Sequence, residues 1–143
     1  MPILERGRVT EGTAGYGRGE IKTYRADYSF AADGGAVSTI GLSGTTGIPS
    51  GAVILAAYLD VTTALTSGGA ATVALQIESA ADVQAAVVIS GAPWSTTGVK
   101  LSSARTRAAV PIATTAARDV SAVIGAAALT AGAFRVYVEY LEV

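Results

Sequence analysis

A chain of 143 residues with half its positions apolar, 15% charged and a formal net charge of -1 is sized for one domain with its own core. It contains neither Cys nor His, which excludes disulfides and thiolate metal sites and removes the side chain best suited to proton transfer near neutral pH. Its apolar stretches end well short of the roughly 20 residues a membrane helix needs, and no basic-aromatic interleaving accompanies the near-neutral charge, so neither membrane nor nucleic acid is an expected partner.

Residues 1–19 form a segment of their own, in which Gly7, Gly12, Gly15, Gly17 and Gly19 alternate with Arg6, Arg8 and Arg18. This reads as an extended N-terminal arm or a loose chain end, and it lacks the apolar run of a secretory signal. From residue 20 the period becomes two. Lys22, Tyr24, Ala26, Tyr28 and Phe30 share one face of a predicted strand. Asp33-Gly34-Gly35 signals a turn, and residues 36–42 continue as a second strand, which predicts a hairpin. Residues 44–51 read as a loop. Residues 52–63 form a longer strand, apolar on both faces and therefore central, with Val53, Leu55, Ala57, Leu59 and Val61 expected on one side.

Residues 70–78 alternate well enough for a fourth strand, with Ala71, Val73, Leu75 and Ile77 together. Residues 79–90 mix helix-favouring Ala with strand-favouring Val and Ile, predicting a short helical turn followed by extended chain. Residues 91–98 are a loop carrying the one tryptophan, Trp94. The extended stretch 99–113 is interrupted by Pro111, which belongs at a sheet edge or strand end. Residues 118–124 alternate again, 125–132 read as a long connection or single helical turn, and Phe134, Val136, Val138 and Tyr140 mark the clearest strand. Seven or eight strands separated by turns, without βαβ alternation, predict an all-β fold for residues 20–143: an antiparallel β-sandwich or jelly roll.

Catalytic and cofactor signatures are missing. The glycines of 12–19 do not fit a phosphate loop, the serines lack a nucleophile-elbow context, and no calcium-loop spacing occurs. We therefore expect no enzyme activity, cofactor or metal. The 29 alanines contribute little apolar area each, so burial between subunits is a natural supplement to a thin core. Residues 26–99 hold five acids and no Lys or Arg, whereas 100–118 hold Lys100, Arg105, Arg107 and Arg118 and no acid. If these segments lie on different faces, one copy's basic face meets another's acidic face; otherwise the charges simply protect solvated strand edges. Trp94 reads either as a ligand or partner platform or as a ring folded back to cap the sandwich.

Four stretches carry a family resemblance: residues 28–35 (YSFAADGG), 48–55 (IPSGAVIL), 90–98 (SGAPWSTTG) and 129–138 (LTAGAFRVYV). Together they resemble the small β-sandwich capsid decoration, or cement, proteins of tailed phages infecting actinobacteria. The resemblance implies a protein on the virion capsid surface that binds the major capsid protein and reinforces the shell, with a homotrimer as the favoured homo-oligomer. It assigns Arg6, Arg8 and Arg18 to shell contact. The alternative is a carbohydrate- or receptor-binding β module of a virion, using Trp94.

Overall fold

The computed structural model describes residues 20–44, 47–105 and 111–142. Two antiparallel sheets face each other across one core, so the expected β-sandwich is the fold. The larger sheet contains β1 (Ile21–Ser29), β3 (Ser43–Gly44), β4 (Val53–Ser67), β7 (Gly98–Leu101), β8 (Ile112–Ala113) and β10 (Leu129–Leu141), in the order β3-β1-β10-β4-β7 with β8 also on β4. The smaller sheet runs β2-β9-β5-β6, from β2 (Ser38–Gly41), β5 (Thr72–Gln76), β6 (Gln84–Val88) and β9 (Ser121–Gly125). Eight of these strands have four or more residues; β3 and β8 are two-residue pieces that raise the total among the described residues to ten.

The predicted hairpin between β1 and β2 does not form. β1 pairs along nine residues with β10, whereas β2 pairs with β9 in the opposite sheet. The turn signal is real but carries the chain across the sandwich. A single helical turn, α1 (Phe30–Asp33), ends at Gly34 in a positive-φ conformation, and Gly35 then passes directly over Leu129, whose N–H donates to the Gly35 carbonyl at 2.8 Å. Adding a Cβ at Gly35 would place it against the Leu129 backbone.

β4 is interior as expected, but its faces change within the strand. Glu139 lies opposite Ala56 and Tyr140 opposite Ile54, so Leu55 is an extra residue in a bulge. Beyond the bulge Ala57, Leu59 and Val61 point into the core; before it Ile54 does, not Val53 or Leu55, which stay half-buried. Strict alternation is the wrong rule across an added residue.

The remaining differences are small. Residues 79–83 make turns rather than helix before β6 begins, and β10 starts at Leu129, inside the segment read as a connection. β7 and β8 both lie along the edge of β4 opposite β10, β7 against Tyr58–Val61 and β8 against Val53–Ile54. Pro111 therefore sits at a strand end on a sheet edge, where its missing N–H costs nothing.

Ile54, Leu59, Val61, Val136 and Val138 from the large sheet meet Val73, Leu75 and Ile124 from the small one. Ala26, Ala52, Ala57, Ala71 and Ala122 are buried among them. At one end Tyr28, Phe134 and Trp94 form an aromatic group, with Tyr28 stacked on Phe134 at 5.0 Å and Trp94 tilted against it at 4.9 Å.

Candidate interaction surfaces

Trp94 is not a platform. Its side chain is 0% exposed, because Trp94 N–H donates to the Gly91 carbonyl and Leu65 N–H donates to the Trp94 carbonyl, folding the loop inward until the ring meets Phe134. A fully covered indole offers no face to a sugar, so the capping alternative describes this residue. Beside the loop lies a shallow groove of about 270 Å³ lined by Val87, Pro93, Lys100, Leu101 and Ser103, among others. That is below the usual size of small-ligand sites.

The acidic and basic segments of the sequence meet at one ion pair. Glu78, from the acidic segment, receives Arg118 from the basic one: Nε donates to Oε1 at 2.9 Å and Nη2 to Oε2 at 3.1 Å. The Thr115 hydroxyl and backbone N–H donate to the same carboxylate. The Arg118 guanidinium, followed by the Thr115 donors, holds the Glu78 carboxyl down to about 2. Arg118 is thus paired within the chain while its side chain stays 35% exposed.

Lys100 donates from Nζ to the Thr96 carbonyl at 2.6 Å, pinning the loop before β7. The Arg105 backbone carbonyl accepts from Ala57 N–H at 2.7 Å, extending the β7 pairing along β4. Lys100 lies opposite Leu59, mid-β4, and Arg118 bridges Ile48 ahead of that strand. Arg6, Arg8, Arg18 and Arg107 lie outside the described residues.

The remaining described acids of the acidic segment have mostly structural partners. Asp82 accepts from the backbone N–H groups of Ile77, Glu78 and Ser79, closing the β5–β6 turn. Asp33 accepts from Ser29 N–H at the start of α1. Asp27 accepts two bonds from Arg25, which keep its carboxyl below the usual range. From outside that segment, Asp119 accepts from the Tyr24 hydroxyl, and burial followed by this carboxylate pushes Tyr24 up to about 12. Among the described residues no cluster of three or more carboxylates is placed to hold a metal.

What the sequence reading missed is the outer face of the large sheet. The registers align Arg25, Tyr137, Tyr58 and Leu101 in one row across β1, β10, β4 and β7, and Asp27, Arg135, Asp60 and Val99 in another. Val99 is 72% exposed and Leu101 58%. By contrast, β2, β5, β6 and β9 contain no charged residue. The signal was present as alternation in each strand, but only the pairing order turns separate residues into a surface.

No protein-family model and no curated protein matches this sequence. Two solved structures match its fold. A chain of the structure titled "Cyanophage Pam1 capsid asymmetric unit" aligns with a TM-score of 0.60 and 18% identity, over 96% of this chain and 95% of that one. A chain of "Acidic stable capsid structure of Helicobacter pylori bacteriophage KHP30" aligns with a TM-score of 0.57 and 15% identity, over 85% and 86%. The sandwich described above is therefore a fold also used, over nearly its whole length, in the capsid structures of two phages.

Proposed function

We propose that this chain is a non-catalytic structural protein of a phage virion, which binds the outer surface of the assembled capsid through the major capsid protein and reinforces it as a symmetric homo-oligomer. The observation that carries this reading is the end-to-end fold match to a chain of a phage capsid structure. The family resemblance adds the decoration role and the trimer. The internal engagement of most of the described carboxylates agrees with a structural role, since a hydrolytic pair needs two acids facing a common cleft. In this reading Arg6, Arg8 and Arg18 of the arm meet acidic groups on the shell, and many weak contacts repeated over a symmetric lattice sum to tight retention. The glycan-binding alternative loses its platform with the burial of Trp94.

The test is co-sedimentation with empty phage heads that lack this protein. The chain should pellet with the heads, raise the temperature at which they rupture, and lose retention when Arg6, Arg8 and Arg18 are changed to Glu. A chain that stays in the supernatant at every ratio refutes capsid attachment.

A further inference from the structure

We infer that the outer face of the large sheet is an isologous contact between two copies of this chain, related by a two-fold axis that runs along the strands between β10 and β4. The two central positions of each row, on β10 and β4, are self-complementary about this axis. A rotation of this kind keeps each row at its own height and reverses the strand order. Arg135 then faces Asp60 of the second copy, Asp60 faces Arg135, and Tyr137 lies on Tyr58 in both directions. Leu101 of β7 meets the Arg25 position of β1. Face-packed sheets cross at roughly 30°, and β10 and β4 lie nearest the axis, so the Arg135–Asp60 and Tyr137–Tyr58 correspondences are those least disturbed by the crossing.

Three observations make a second copy the occupant. First, the charges of the two rows sum to zero, with Arg25 and Arg135 against Asp27 and Asp60, which suits a surface that meets itself. Second, those charges are incompletely matched within one copy. Arg25 takes Asp27, whereas Arg135 reaches Asp27 only at 4.0 Å and Asp60 has no hydrogen bond or ion pair among the described residues. Third, β1, β10 and β4 over nine residues and β7 over four, about 4.8 Å apart, present a flat area on the order of 500 Å². Side-chain relief adds to this, toward the roughly 800 Å² per partner of a standard stable interface. Each face residue acts twice across a two-fold, so small gains double.

This inference goes beyond capsid attachment and stands or falls separately from it. The experiment is the mass of the isolated full chain by light scattering and sedimentation across a concentration series. The chain should associate in even numbers, as a pair or as a pair of the trimers proposed above, and this association should weaken with salt, as contacts between charges do. Arg135→Asp, which sets acid against acid twice, should weaken pairing at least about tenfold, and so should Asp60→Arg. The double exchange Arg135→Asp with Asp60→Arg should restore it. Leu101→Lys, at an exposed position where folding is not at risk, should weaken pairing through repulsion from Arg25 of the second copy. Circular dichroism and thermal melting check that each variant is folded. A wild-type chain that is monomeric at millimolar concentration overturns the inference, as does an oligomer whose mass survives both Arg135→Asp and Leu101→Lys.

Discussion

Arg118 and Glu78, 40 positions apart in sequence, meet side by side with the guanidinium bonded to both carboxylate oxygens. The pair ties the segment before β9 to the turn after β5, and Thr115 adds two further donors to the same carboxylate.

Its consequence is acid sensitivity. Glu78 is held down to about 2 in the folded chain, from an ordinary value of 4.5. A depressed folded-state value means that the unfolded chain binds the proton first, so the contribution is present above the unfolded value and is lost as pH falls toward 2. Urea midpoints should therefore decline between about pH 5 and pH 2. Glu78→Gln should lower stability at neutral pH and flatten that decline. An unchanged slope in the variant would remove Glu78 from the account.

Tyr24 acts at the other end of the scale. Burial and the Asp119 carboxylate raise it to about 12 from 10.0, so its contribution is complete below pH 10 and is lost as pH rises toward 12. Tyr24→Phe should shift the alkaline unfolding midpoint, and the difference in phenol absorbance between the two chains should report a tyrosine that ionises only with unfolding.

Trp94 is a core residue, and its truncation should show it. Trp94→Ala is expected to cost about 3–5 kcal/mol in denaturant unfolding. Trp94→Phe should cost less, because it also removes an indole N–H that is buried with no hydrogen-bond partner among the described residues. The native fluorescence should be blue-shifted and poorly quenched by acrylamide. A red-shifted, freely quenched emission would show the ring to be outside.

The bulge in β4 separates two neighbours that simple alternation would interchange. Ile54→Ala should cost about 2–5 kcal/mol, since Ile54 is fully buried, while Leu55→Ala should cost under about 1 kcal/mol. Equal costs, or the reverse order, would place the extra residue elsewhere.

Gly132 has φ +132, and a Cβ there would run into the Leu65 side chain. Gly132→Ala should cost at least about 1–3 kcal/mol from backbone strain alone. Gly41, with open space around it and no unusual φ, serves as the control: Gly41→Ala should change stability by no more than about 0.5 kcal/mol.

The amino-acid sequence alone sets the all-β class and most strand positions, because alternation and turn residues are local properties. Tyr24, Ala26 and Tyr28 do face the core as their spacing implies, and so do Phe134, Val136, Val138 and Tyr140. It also determined the lack of His and Cys chemistry. Tertiary structure decided the rest. Which strand pairs with β1, where Leu55 breaks the alternation, and whether Trp94 faces solvent or Phe134 all depend on partners far away in sequence. The charge pattern makes the reason plain. Acids and bases that are segregated along the chain meet as Glu78 with Arg118, while the self-complementary positions of Arg135 and Asp60 exist only once β10 lies beside β4. Local spacing fixes which way a side chain points from its strand; only the order of strands fixes what stands next to it.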